Sequence, residues 1–175
     1  MNSKIIIDSL QISLIIKRLA YQIVEDNPDL ANTAFIGIQP RGTWFSKRLV
    51  EEVNKVYGKE ATFGLLDITF YRDDVRQGIL VPNKTEIFFS LEGRNVVLID
   101  DVLYTGRTTR AALDALLDFG RPARVELCVL IDRRFTREFP IAADYVGLTI
   151  DTILSQKVKV LWQENDAKDE VVLVG

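Results

Sequence analysis

Residues 96–109 have the sequence VVLIDDVLYTGRTT, in which a short apolar run is followed by two acidic residues and a Thr-Gly loop. The apolar run predicts a strand that is buried inside a parallel sheet. Asp100 and Asp101 come at the carboxyl end of this predicted strand. Open α/β sheets bind their ligands at the carboxyl ends of strands, so the sequence predicts a ligand site at this edge.

The loop after the acidic pair leads into a predicted helix over 108–119. Gly106 lets the backbone approach an anion closely, and the unpaired N–H groups at the start of a helix attract negative charge. Hydroxyl groups of Thr105, Thr108 and Thr109 add further donors. Donors for a phosphate therefore lie beside two carboxylates that can bind hydroxyl groups or a metal. A sugar phosphate needs both kinds of partner.

Other interpretations of this segment are weaker. A solvated aspartate pair before a capped helix is the plainest, but adjacent carboxylates repel each other, so a purely structural role explains them poorly. A phosphate-accepting receiver domain also has paired aspartates, but they follow its first strand, near the amino terminus. A P-loop needs the pattern G-x-x-x-x-G-K-S/T, which the sequence does not contain.

The composition is that of an ordinary folded domain. The chain has 175 residues, of which 47% are apolar and 27% charged, which suffices for one domain with a full core. The net charge of −3 argues against a protein that coats nucleic acid. The chain has no histidine, which excludes histidine-based triads and histidine-ligated metal sites.

The sequence favours a cytoplasmic protein. Its single cysteine, Cys128, cannot form an internal disulfide, which is typical of a reducing compartment. Cys128 lies in an apolar run and is interpreted as a small core residue rather than a nucleophile. No apolar run approaches about 18 residues, so the sequence predicts no membrane-spanning segment.

Hydrophobic periodicity on both sides of 96–109 predicts alternating helices and strands. Asp8, followed three residues later by Gln11, is typical of a helix start, and Asn27-Pro28 ends that helix. The elements predicted after it are a strand at 34–38, a helix ending at Gly58, strands at 62–71, 94–99 and 125–131, the helix at 108–119, an irregular insert at 133–143, and weaker strands at 144–147, 157–163 and 171–174. This order predicts a mostly parallel sheet that is covered on both faces.

With its surroundings, 96–109 resembles the phosphoribosyl-diphosphate (PRPP) binding signature of the type I phosphoribosyltransferases. The sequences DITFYRDD at 67–74 and IDRRFTREFPIAADYVG at 131–147 are similar to the PyrR family, pyrimidine-operon regulators that are also uracil phosphoribosyltransferases. The resemblance implies the type I phosphoribosyltransferase fold, an α/β fold with a mostly parallel twisted sheet flanked by helices. It also implies a single domain over 1–175, with a flexible arm at about 72–84 and a small hood from the N-terminal and C-terminal segments.

The resemblance implies roles for the residues of the signature. Asp100 and Asp101 are expected to contact the ribose hydroxyls of PRPP, directly or through hydrated Mg²⁺, the implied cofactor. The 5′-phosphate is expected in the loop made by Thr105, Gly106, Arg107, Thr108 and Thr109.

The resemblance also extends the site beyond the signature. Arg41 and Gly42 match the pyrophosphate loop, which often carries a cis peptide, here expected between Pro40 and Arg41. Arg72 would bring positive charge from the arm to the pyrophosphate. The uracil base is expected beside Asp132 and Arg133. From the residues alone, competing interpretations remain: an ordinary turn at 39–42, a surface loop at Arg72, and a surface ion pair at Asp132 and Arg133.

The implied reaction joins uracil to PRPP and yields UMP and pyrophosphate, and relatives form homodimers or higher homo-oligomers. A purine acceptor is a weaker alternative.

Relatives also bind an mRNA leader on a basic face. Here 132–140 is one residue longer than in relatives, and Tyr21, Ala142 and Leu148 replace residues that are commonly basic or donors. Phosphate binding depends on such groups, so the sequence favours catalysis over RNA regulation. Arg134 replaces a common glycine and would either crowd the base pocket or point to solvent.

Overall fold

The computed structural model describes residues 3–73 and 81–175, and the central part of the predicted arm, 74–80, lies outside them. The elements, in chain order, are β1 (Ser3–Ile7), α1 (Ser9–Asp26), β2 (Thr33–Gln39), α2 (Gly42–Tyr57), β3 (Thr62–Asp67), β4 (Asn95–Leu103), α3 (Arg107–Leu116), β5 (Arg124–Arg134), β6 (Tyr145–Asp151), β7 (Lys157–Leu161), α4 (Gln163–Asp166) and β8 (Glu170–Val174). No helix among these residues is both long enough and apolar enough to span a membrane.

Five strands form a parallel sheet in the order β3-β2-β4-β5-β6. Separate apolar clusters cover its two faces, one including α1 and α2 and the other including α3. Strands β1, β8 and β7 form a small antiparallel sheet from the two ends of the chain. The predicted α/β fold of the type I phosphoribosyltransferases is thus confirmed.

Helix α1 shows how local sequence positions an element. The Asp8 carboxylate accepts a hydrogen bond from the Gln11 N–H at 2.9 Å, and the Gln11 side chain accepts one from the Asp8 N–H at 3.1 Å. This reciprocal capping box fixes the start of the helix. The face that the helix turns to the sheet is apolar and buried: Ile12, Ile16, Leu19, Ala20 and Ile23.

Two strand boundaries differ from those predicted. The strand predicted over 62–71 stops at Asp67, because its partner β2 ends at Gln39, and Thr69–Tyr71 form a 3-10 helix. The strand predicted to end before the acidic pair continues to Leu103, because β5 also continues and pairs with it. The acidic pair is therefore part of the sheet.

Two further features were not predicted. The irregular insert expected from 133 begins later, because Arg133 and Arg134 pair with β6 and extend β5. Strand β1 pairs with β8 at the other end of the chain, so that Ser3 faces Val174. Cys128 is fully buried in β5, and burial raises the pKa of its thiol, in line with the core role expected for it.

Candidate active site

A cavity of about 540 Å³ lies at the carboxyl ends of β2 and β4. It brings together most of the residues predicted from sequence: Arg41, Arg72, Asp100, Asp101, Thr105, Gly106, Arg107, Thr108, Thr109 and Arg133 all line it. Gly42 and Asp132 are not among the lining residues. The topology explains the convergence, since the ends of neighbouring parallel strands meet at one edge of a sheet.

Asp100 and Asp101 form the buried floor of the cavity. Their exposed fractions are 6% and 7%, and the Asp101 N–H donates a hydrogen bond to Oδ1 of Asp100 at 2.9 Å. Burial raises the pKa of both carboxyl groups, and the neighbouring Asp101 charge raises the pKa of Asp100 further, to well above its usual range. Burial and mutual repulsion therefore both oppose full ionisation of the pair.

Arg41 is the cation that opposes the rise in the pKa of Asp100 and Asp101. Its charge lowers the pKa of both Asp100 and Asp101, although burial outweighs it. Arg41 stands at the turn between β2 and α2, on the exposed rim of the cavity. The Arg41 guanidinium and the two carboxylates, which come from adjacent strand ends, thus interact electrostatically.

Gly42 lets the turn at 39–42 approach the acidic strand. A Cβ atom at Gly42 would lie 2.8 Å from the carbonyl oxygen of Ile99, which is closer than real Cβ contacts. The prediction of a cis peptide between Pro40 and Arg41 is wrong by one residue: the cis bond joins Gln39 to Pro40. Proline is the residue before which the cis form is most accessible.

The loop at 104–106 enters α3 through Gly106, which has φ of +91° and precedes the first helical residue, Arg107. The first N–H groups of a helix lack partners inside it, and they are available to an anion. Thr109 is buried within the first turn of α3. The structure thus has the glycine turn and helix start on which the predicted anion site depends.

The Arg107 side chain makes contacts that the sequence did not indicate. It donates to Glu138 at 2.6 Å and to Asp73 at 3.0 Å, and its guanidinium lies 5.4 Å from the centre of the Phe139 ring. The hydrogen bonds to Glu138 and Asp73 raise the pKa of Arg107. Arg107 is therefore paired with two carboxylates, of which that of Glu138 belongs to a residue lining the cavity. Arg72 lines the same cavity at the end of the described part of the arm.

The side of the cavity predicted to hold a base is formed by Arg133. Its guanidinium lies 4.0 Å from the centre of the Tyr104 ring and donates to Oγ1 of Thr152 and to the carbonyl of Gln156, both at 3.0 Å. Burial lowers the pKa of Arg133. Arg134, in contrast, is paired with Asp151 at 2.8 Å and does not line the cavity. It does not crowd this side.

Sequence reasoning missed three residues around the cavity. Tyr104 and Glu138 line it, and Arg137, which is not among the lining residues, pairs with the carboxylate of Asp132. The one available signal was the density of charge in 132–138, which does not indicate which charges turn inward.

A parallel sheet with a buried acidic pair and a glycine turn into a helix at one edge is the arrangement expected of a phosphoribosyltransferase. The family described as "Phosphoribosyl transferase domain" matches residues 2–165, and the chain belongs to that family. Solved structures share the fold. The hypoxanthine phosphoribosyl transferase of Trypanosoma cruzi has a TM-score of 0.73 at 20% identity, over 98% of this chain and 91% of that chain. The hypoxanthine phosphoribosyltransferase of Staphylococcus aureus has a TM-score of 0.69 at 21% identity, over 97% of this chain and 90% of that chain.

Within this family the chain is a member of the PyrR group. The protein called "Bifunctional protein PyrR" of Desulfosudis oleivorans is 44% identical over 96% of this chain and 94% of its own length. The protein of the same name in Deinococcus radiodurans is 46% identical over 96% and 92%. The protein of that name in Streptococcus mutans is 43% identical over 100% of this chain and 97% of its own length. The family resemblance seen in 67–74, 96–109 and 131–147 is thereby confirmed.

Proposed function

We propose that the protein is a uracil phosphoribosyltransferase, which joins uracil to PRPP and releases UMP and pyrophosphate. One observation carries this proposal: a buried pair of carboxylates and a helix-start anion loop line one cavity in a chain of the PyrR family. The loop suits the 5′-phosphate, and the carboxylates suit the ribose hydroxyls of the same molecule. The cavity, about 540 Å³, is within the range of small-molecule sites.

Asp100 and Asp101 would bind the ribose through its two hydroxyl groups. The 5′-phosphate would accept hydrogen bonds from the loop and the start of α3, where Thr105, Gly106, Arg107, Thr108 and Thr109 lie. These contacts hold C1′ in a fixed place while its bond to pyrophosphate breaks. The protein would then contribute orientation and charge stabilisation rather than a covalent intermediate.

The donor set of this site fits Mg²⁺ brought by PRPP. Among the described residues no group of three His, Cys, Asp or Glu side chains could hold a metal ion by itself, but Asp100 and Asp101 would offer carboxylate oxygens to one that arrives with PRPP. Mg²⁺ commonly binds through one or two carboxylates together with waters and substrate phosphates. When bound, it would neutralise negative charge on the departing pyrophosphate. Arg41 and Arg72 would add positive charge on the same side.

Uracil would lie on the side of the cavity that Arg133 and Tyr104 form. The contact between the Arg133 guanidinium and the Tyr104 ring holds both side chains in place on this side. Main-chain groups at the end of β5 would recognise the base. The absence of histidine is no obstacle, because this mechanism requires no histidine base.

The choice of acceptor is tested by offering several bases to the purified protein with PRPP and Mg²⁺. We expect nucleotide formation with uracil and little with hypoxanthine or guanine, measured by separation of labelled products. Formation of a purine nucleotide without UMP would contradict the proposal and support the purine alternative.

RNA-dependent regulation is the second candidate, because the relatives are named bifunctional. Binding of an mRNA leader requires available positive charge. Arg134 is paired with Asp151, and Arg137 is paired with Asp132, so these two cations of the 132–138 segment are already neutralised. Filter binding of a labelled pyrimidine-operon leader, with and without UMP, tests this candidate. Tight binding that UMP strengthens would establish it beside catalysis.

A further inference from the structure

The segment 135–141 forms the back wall of the phosphate loop. The N–H groups of Glu138 and Phe139 both donate to the carbonyl oxygen of Thr105, at 2.9 and 3.1 Å. A Cβ at Gly106 would lie 3.3 Å from atoms of both Phe139 and Ile141. The loop and the segment are therefore in close contact, and a shift of one moves the other.

Arg137 holds this segment against two strand ends at once. Its Nη1 donates to the carbonyl oxygens of Tyr104 and, at 3.4 Å, Leu103 in the chain leaving β4, and to that of Arg133 in β5 at 3.0 Å. Its Nε donates to the carbonyl of Ile141 at 3.0 Å. One side chain thus connects β4, β5 and the back wall.

Asp132 fixes the orientation of this guanidinium. The Asp132 carboxylate accepts from Nη2 of Arg137, and the two side chains are 18% and 23% exposed. Asp132 is absent from the cavity lining, so its carboxylate acts on Arg137 rather than on a base in the cavity. A guanidinium presents five donors in a rigid plane, which lysine or glutamine cannot reproduce.

We propose that Arg137, oriented by Asp132, is a positioning residue for the 5′-phosphate loop. This inference rests on the proposed function, because it assigns the loop to the phosphate of PRPP. Without Arg137 the carbonyls of Tyr104 and Arg133 lose a shared donor, and the loop at 104–106 loses its support. Errors of about 1 Å in such positions can lower activity by about a hundredfold.

The test compares Arg137→Gln with Arg134→Gln in the full-length protein. Arg134 is a matched control, since it lies three residues before Arg137 but pairs with Asp151 outside the cavity. Steady-state kinetics give kcat and KM for PRPP and for uracil, and calorimetry gives the Kd of PRPP with Mg²⁺. We expect Arg137→Gln to raise the KM and Kd of PRPP by about ten- to a hundredfold, with a smaller change in the KM of uracil.

A merely structural role would give a different result. Loss of folded protein lowers apparent kcat and leaves the KM of PRPP unchanged, and that outcome, or equal effects of both variants, overturns the inference. Should Arg137→Gln not fold, Asp132→Asn keeps the arginine but loosens it, and the same selective rise, of about threefold, is expected. An unchanged KM and Kd of PRPP in Asp132→Asn would overturn the inference. Absence of UMP formation by the wild-type protein would instead refute the proposed function, while the Kd of PRPP still tests Arg137.

Discussion

Gly42 lies directly against Asp100: a Cβ at this glycine would be 3.2 Å from both Cα and Oδ1 of the aspartate. The turn after β2 and the acidic strand β4 thus form one wall with no space between them. Arg41, the preceding residue, is held at the distance where its charge acts on the acidic pair.

Gly42→Ala is expected to lower kcat/KM for PRPP by about a hundredfold, because the added methyl group must displace the backbone of β4 or the turn. The measurement is steady-state kinetics with varied PRPP. Gly58→Asn at the other end of α2 is the control, since nothing lies within 4 Å of a Cβ there and asparagine tolerates its φ of +75°. Equal activity of Gly42→Ala and the wild type would show that the close contact between Gly42 and β4 is not required for activity.

Asp100→Asn is expected to remove turnover and yet stabilise the ligand-free protein at neutral pH. The pKa of Asp100 is raised by burial and by Asp101, so the folded protein binds more protons than the unfolded one between the unfolded pKa and the raised value. Stability therefore falls as pH rises through that window, and asparagine removes the ionisation of residue 100.

Thermal unfolding from pH 4 to pH 8 measures this effect. The melting temperature of the variant relative to the wild type should increase with pH, by about 2–4 °C for each kcal/mol gained. A variant that loses stability relative to the wild type as pH rises would contradict the raised pKa of Asp100.

Arg41→Gln is expected to shift the acid limb of kcat/KM for PRPP to higher pH. The Arg41 charge lowers the pKa of both aspartates, so its removal raises their pKa and leaves fewer ionised carboxylates at low pH. The loss of activity should be greater at pH 6 than at pH 8.5. The Arg134→Gln variant, whose arginine pairs with Asp151 instead, should keep the wild-type profile. A uniform loss at all pH values would mean that Arg41 does not act on this pair.

Arg107→Gln and Glu138→Gln are expected to change the KM of PRPP in opposite directions. Arg107 brings positive charge to the rim and Glu138 opposes it, so the first variant should raise KM and the second lower it, each by about two- to fivefold. Both groups are partly exposed, and the two effects should shrink as salt is added. Two changes in the same direction would exclude an electrostatic role for this pair.

Features encoded by neighbouring residues could be predicted from sequence. The capping box between Asp8 and Gln11, the stop of α2 at Gly58, and the glycine turn at Gly106 before α3 each depend on residues within one turn, and the structure has all three. The acidic pair was recognisable as a site because adjacent carboxylates at the end of an apolar strand have no good structural explanation.

Features set by distant residues could not be predicted. Strand β4 continues through Asp101 because Val102 pairs with Ile131 of β5, and β1 exists because β8 pairs with it. The role of Arg137 depends on carbonyl groups of residues more than 30 positions earlier, such as Tyr104. Carbonyl groups carry no side-chain signature, so nothing in the sequence identifies this arginine among its neighbours.

In the proposed reaction, Asp100 and Asp101 bind the ribose of PRPP during transfer to uracil. The most direct measurement is UMP formation from labelled uracil, PRPP and Mg²⁺ by the wild-type protein and by Asp101→Asn. We expect steady formation of UMP by the wild type and a loss of at least about a hundredfold in the variant. Binding of PRPP or UMP by the wild type without any UMP formation, or equal turnover by both proteins, would contradict it.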